Sequence, residues 1–196
     1  MFKAFELTFS PLCAEYVERV YAKHEVILEY GSGGSTLLAA KTGKQVITTE
    51  TDPRWLLELM GAYKEQQLPG DIIPIWSDIG ETKEWGYPVD ESQFKHWPDY
   101  PQKPWRYCHE HQLKPDLILI DGRFRVASFL TTCVNVSKTT TVLFDDFVER
   151  EHYYFVKQLF EPVEIIGERM AVFKVRPKKV SSRLLLENMH YFLDPR

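Results

Sequence analysis

Three cysteines in 196 residues, no apolar run of membrane-spanning length and no surplus of basic charge are the first features of this chain. Each shortage excludes a class of protein. Cys13, Cys108 and Cys133 are odd in number and far apart, so they supply neither a disulfide framework nor the close pairs of a zinc or redox motif. They read as reduced packing residues, which suits a cytoplasmic location. A bilayer-spanning helix needs about 20 apolar residues and a signal peptide needs a long apolar core, and the start MFKAFELTFS offers neither. The expected protein is soluble and has no membrane partner. Net charge is -4, and the basic residues are scattered apart from Arg176, Lys178 and Lys179, so no summed positive field draws in nucleic acid. What is present suffices for one core: 44% of residues are hydrophobic, and 1–196 reads as a single domain.

Along the chain, Ser10-Pro11 opens a helix with apolar positions at Leu12, Tyr16, Val17 and Val20. Alternation follows: a strand over 26–29, a glycine turn, a helix over 35–42, a strand over 45–49 and a helix opened by Asp52-Pro53. Strands over 72–76 and 117–120 come after Leu68-Pro69-Gly70 and Lys114-Pro115, and a helix over 125–136 leads to a strand over 141–144. These strands are continuously apolar, which predicts a parallel sheet covered by helices on both faces. The stretches 163–166 and 170–175 are separated by three residues, a connection short enough only for an antiparallel hairpin. The predicted fold is therefore α/β: a Rossmann-like three-layer sandwich whose seven-stranded, mostly parallel sheet ends in that hairpin. Between the third and fourth strands, 78–113 reads as one long irregular insert containing Trp85, Tyr87, Trp97, Tyr100, Trp105 and Tyr107. It is expected either to cap a substrate or to pack on the domain as a satellite core.

Gly31, Gly33 and Gly34 lie where the first strand turns into its helix, so backbone amides and the positive helix end face any ligand there. A phosphate-binding Walker loop would need a Lys after its last glycine, and here Ser35-Thr36-Leu37 follows. A dinucleotide GxGxxG fingerprint would need Thr36 to be glycine. S-Adenosylmethionine carries an ammonium and a sulfonium, and Glu29 at the loop would favour it over a pyrophosphate. Glu50, ending the second strand, is set to accept ribose hydroxyls, and Asp78 stands in the turn beyond the third strand. Helix capping and a solvated turn are their structural alternatives.

EYGSGGST, VITTETDP, the strand ending LILIDG and the final hairpin follow the order and spacing of class I S-adenosylmethionine-dependent methyltransferases, and the chain resembles that superfamily over nearly its whole length. WGYPVD and DGRFRVAS are similar to a group of small bacterial methyltransferase-like proteins. The resemblance implies a cofactor site built from Glu29, Gly31, Ser32, Gly33, Gly34, Ser35, Glu50, Asp78 and Asp121.

Asp121 ends the fourth strand and Asp145-Asp146 the fifth, so three carboxylates converge at the carboxyl edge. Either a hard divalent ion such as Mg²⁺, bound by Asp121, Asp145 and Asp146, or pairing with Arg123 and Arg125 would relieve their repulsion. The chain is similar here to metal-dependent sugar and catechol O-methyltransferases, but Arg123 stands where the sugar type has its catalytic aspartate. An arginine accepts no proton at neutral pH, which leaves Asp146, Glu149 or His152 as base and gives Arg123 either an ion-pairing or an anion-binding role. His96, His109 and His111 form no metal-ligand pattern. The expected function is methyl transfer to an oxygen or nitrogen of a small, anionic acceptor. Its rivals are a catalytically silent cofactor-binding module and an NAD-dependent oxidoreductase. The sequence leaves open whether the protein is a monomer or a dimer.

Overall fold

A computed structural model describes residues 5–196, so the first four residues of the MFKAFELTFS start lie outside the described residues. Five strands run parallel: β1 (Val26–Tyr30), β2 (Gln45–Glu50), β3 (Asp71–Trp76), β4 (Leu117–Ile120) and β5 (Thr140–Phe144). The hairpin of β6 (Glu164–Ile166) and β7 (Met170–Val175) completes the sheet, with β7 antiparallel to β5. The order is β3-β2-β1-β4-β5-β7-β6. The chain therefore winds outward from β1 to β3 and returns beside β1 as β4. That reversal opens a crevice at the carboxyl ends of β1 and β4, where ligands of such sheets bind.

Alternation along each strand sends side chains to two separate cores. Ile27, Leu117, Leu119 and Leu143 pack with Cys13 and Val17 of α1 (Pro11–Tyr21), Leu37 of α2 (Gly34–Lys41) and Leu59 of α3 (Pro53–Gln66). Leu28, Tyr30, Ile118 and Ile120 point the other way. They meet α4 (Asp99–Glu110), α5 (Arg125–Asn135) and, at its margin, Leu184 and Leu185 of α6 (Ser182–Glu187). The third layer thus arises because both faces of the central strands are apolar. Among the described residues, no helix is long and apolar enough to cross a membrane.

The insert is less irregular than its sequence suggests, because its second half is α4. Tyr100, Pro101, Pro104, Trp105 and Cys108 are buried along one side of that helix. Their spacing is helical, but Pro101 and Pro104 mask it. Pro101 lies in the first turn, where its missing N–H is no loss, and burial of the aromatic stripe holds the helix through Pro104. Trp97, Tyr100 and Trp105 consequently belong to the main core.

Candidate cofactor and acceptor site

At the end of β1 the chain makes a tight turn that only glycine fits. Gly31 has φ 96°, and a Cβ there would sit 2.8 Å from the backbone of Gly122 in the turn after β4. Gly33 caps α2, and its N–H donates to the Thr36 hydroxyl at 3.0 Å. That hydroxyl donates to Glu29 Oε2 at 2.5 Å, while Tyr21 of α1 donates to Glu29 Oε1 at 2.6 Å. Glu29 is fully buried and shares the sheet face of Ile27. Burial pushes its carboxyl up to about 7, against the opposing hydrogen bonds from Thr36, Tyr21 and Ser35. The expectation that Glu29 meets a ligand's ammonium at the loop mouth is therefore corrected. Strand alternation turns its side chain to the α1 face, where it braces the loop from behind. Gly34 is pressed against the backbone of Glu6 and Leu7, and Ser35 is buried. Ser32 and Gly33 keep partial exposure.

Glu50 ends β2 with its carboxylate turned to the same turn. Oε2 accepts from the Ser32 N–H and hydroxyl, both at 3.2 Å, and Oε1 from the Thr51 N–H at 2.7 Å and the Asp52 N–H at 3.2 Å. Helix capping falls to Asp52, whose Oδ1 accepts from the Arg54 and Trp55 amides. The Thr51 hydroxyl donates to the Gly86 carbonyl at 3.0 Å, drawing the WGYPVD loop over Glu50. Asp78 is exposed on a turn and accepts from the Gly80 N–H at 3.0 Å. From α4, the Tyr100 hydroxyl reaches the turn after β4, where it accepts from the Arg123 N–H at 3.3 Å. Sequence reasoning gave Tyr100 no individual role. The i, i+4 spacing behind its placement was the available signal.

Asp121, Asp145 and Asp146 offer oxygens within 4.8 Å of one another, and three guanidiniums are set among them. Arg125 lies 3.1 Å from Asp121 and 3.2 Å from Asp146. Arg150 lies 2.7 Å from Asp146. Arg169 approaches Asp145 at 2.5 Å and Asp146 at 2.9 Å, the second as a charge contact without hydrogen-bond alignment. Pairing is thus the observed relief, with a change of partners: Arg150 and Arg169, which the sequence did not nominate, stand where Arg123 was expected. A hard divalent ion does not fit this arrangement, since guanidiniums already hold an oxygen of each aspartate and would be repelled by it. Burial still pushes the Asp121 carboxyl above the usual range, with Arg125 opposing and Asp145 and Asp146 adding to the shift.

Arg123 stands apart from this cluster. It is 7% exposed, its Cζ lies 4.0 Å from the centre of the Tyr87 ring, and its Nε and Nη1 are buried without a hydrogen-bond partner. Glu149 and His152 are exposed; partial burial, with Arg196 adding to it, holds the His152 imidazole below its ordinary pKa. The site thus joins a glycine turn, a partly exposed Glu50 and an unpaired guanidinium, arranged to bind and orient.

No protein-family model matches the chain, and no curated protein matches its sequence. Solved structures do match. The fold is that of the class I S-adenosylmethionine-dependent methyltransferases, and the chain belongs to that superfamily. Within it, the chain belongs with a methyltransferase-like protein of Silicibacter pomeroyi DSS-3, at 36% identity over 97% of this chain and 98% of that one, with a TM-score of 0.91. Fold alone is shared with an O-methyltransferase of Bacillus cereus in complex with S-adenosylhomocysteine, at 16% identity, 88% and 82% coverage and a TM-score of 0.58. The O-methyltransferase TomG of Streptomyces achromogenes, in complex with S-adenosylmethionine, is similar at 11% identity, with the same coverage and a TM-score of 0.59.

Proposed function

We propose that this protein transfers a methyl group from S-adenosylmethionine to an oxygen or nitrogen of a small, anionic acceptor. The observation that carries this reading is the convergence of the Gly31 turn, Glu50 and the Asp121-Gly122 turn at the β1/β4 crevice. Gly31, Ser32 and Gly33 would form the cofactor's floor, Glu50 would take the ribose and Asp78 would stand near the adenine. Asp121 would close the opposite side, and Gly34, Ser35 and Glu29 would shape the loop from beneath. When bound, the cofactor supplies an electrophilic methyl group. The chain then has to hold the acceptor in line with it and keep water out. The 78–113 segment serves as the cap, through Tyr87 and Tyr100. Asp146, engaged by three arginines, fixes charge. A base, where the acceptor needs one, is left to Glu149 or His152. No step runs through a divalent ion.

A cofactor-binding module without chemistry is the second reading, favoured by the engagement of Asp146 and by an arginine at position 123. Two measurements decide between the readings. S-Adenosylhomocysteine at about 100 times its Kd should stabilise the native state by about 2.7 kcal/mol, raising Tm by about 5 to 10 °C. With no shift at millimolar ligand, both readings fail. Labelled methyl transfer to small molecules of a lysate supports the enzyme, and binding without transfer supports the silent module.

A further inference from the structure

We infer that Arg123, backed by Tyr87, is the receptor for a planar carboxylate at the acceptor side of the crevice; this rests on the methyl-transfer reading above. A guanidinium this deeply buried ordinarily has a carboxylate or several carbonyls around it, because an unpaired charge withdrawn from water is costly. Arg125, two residues on, shows the ordinary case. It is 3% exposed and donates to the carbonyls of Gly122, Asp145 and Asp121 besides its ion pairs. Among the described residues, Arg123 has no acceptor for any side-chain N–H, and Asp121, Asp145 and Asp146 each give an oxygen to Arg125, Arg169 or Arg150 instead.

The Tyr87 ring face, 4.0 Å from Cζ, orients the guanidinium plane without supplying a counter-charge. Nε and Nη1 each stand beside Nη2 in the planar fork, so both bidentate edges are free. The backbone is fixed as well, since the Arg123 N–H donates to the buried Tyr100 hydroxyl. Tyr87 also lines a surface depression with Lys83, Glu84 and Trp85, and the Trp85 indole is 78% exposed there. A carboxylate on a flat apolar body matches that arrangement: the charged end on Arg123, the body along Tyr87 and Trp85. Two sources share this chemistry, the acceptor and the amino-acid end of the cofactor.

The test uses the full chain, its Arg123→Lys and Arg123→Met variants, and four probes: S-adenosylhomocysteine, 5′-methylthioadenosine, benzoate and inorganic phosphate. In wild-type protein saturated with S-adenosylhomocysteine, benzoate should bind more tightly than phosphate. Arg123→Lys should weaken benzoate binding by about tenfold or more while leaving S-adenosylhomocysteine unchanged, because the lysine keeps the charge and loses the fork. If S-adenosylhomocysteine weakens by about tenfold instead and methylthioadenosine does not, the carboxylate is the cofactor's and the receptor still stands. Arg123→Met should melt at the wild-type temperature or above, as expected on removing an unpaired buried charge. The inference is overturned by benzoate and S-adenosylhomocysteine affinities that both ignore the substitutions, by phosphate binding as well as benzoate, or by an Arg123→Met Tm more than about 5 °C lower. Should wild-type protein bind no S-adenosylhomocysteine, the methyl-transfer reading fails separately. Benzoate binding to the free protein that is lost in Arg123→Lys would then still uphold the receptor.

Discussion

At the β1 and β2 ends of the sheet, acids are held by neutral donors, whereas at the β4 and β5 ends they are held by guanidiniums, two of them paired four residues along the chain and Arg169 reaching across 24 residues. Glu29 takes hydroxyls from Tyr21 and Thr36, and Glu50 takes the Ser32 hydroxyl and the amides of Ser32, Thr51 and Asp52. Asp121, Asp145 and Asp146 depend on Arg125, Arg150 and Arg169. The first arrangement shapes a loop and leaves a carboxyl group free to take up a proton. The second is a clasp that ties the parallel half of the sheet to the turn between β6 and β7, in which Arg169 stands.

The largest effect should come from opening the clasp. Arg125→Met strips Asp121 and Asp146 of their buried partner and abandons three carbonyl acceptors. Breaking one side of a buried ion pair costs about 3 to 5 kcal/mol, so the urea midpoint should fall steeply with little change in the slope. A variant nearly as stable as wild type would show that the two sides of the site do not differ in kind.

On the glycine side the prediction concerns pH. Folded Glu29 holds its proton to about 7, whereas the unfolded chain releases it at about 4.3, so the native state binds the extra proton between those values. Stability attributable to this group is full below the lower value and declines as pH rises through 7, by about 4 kcal/mol in all. Glu29→Gln should remove that decline, gaining on wild type between pH 5 and pH 8 in parallel urea titrations. Asp121 shifts in the same direction, so the test is the difference between the two proteins. Curves that stay parallel would mean that Glu29 is ionised throughout.

The same contrast explains what the sequence disclosed. Continuous apolar runs and the three-residue link at 167–169 gave the strands and the hairpin, because sheet class follows from local pattern and connection length. The convergence of Gly31, Glu50 and Asp121 was legible too, since the carboxyl ends of parallel strands share one edge. Of the aspartates' partners, Arg125 was legible, and Arg150 and Arg169 were not. Arg169 reaches Asp145 across 24 residues of chain, and nothing in the sequence separates Arg123, which stays unpaired, from Arg125, which does not. Helix α4 was hidden by its two prolines, and with it the route by which Tyr100 enters the site. Glu29 was assigned to the correct loop and the wrong side of it, an error that counting strand alternation from Ile27 would have prevented.

The smallest effect should come from thinning the donors around Glu50. The Ser32 hydroxyl is one of four donors there, with the amides of Ser32, Thr51 and Asp52. Ser32→Ala removes one neutral hydrogen bond at a partly exposed position, where water can replace it, so the loss should be about 0.5 to 1 kcal/mol. The three remaining donors still fix the carboxylate, and S-adenosylhomocysteine affinity should change less than about threefold. This small number is what separates the two halves of the site: a carboxylate held by many weak neutral donors tolerates the loss of one, while a carboxylate held by a buried arginine does not. Urea denaturation of Ser32→Ala beside Arg125→Met, with calorimetric titration of the former, measures the contrast directly. A Ser32→Ala loss as large as that of Arg125→Met would show that the glycine turn is held as rigidly as the clasp, and that the redundancy of donors around Glu50 has no energetic meaning.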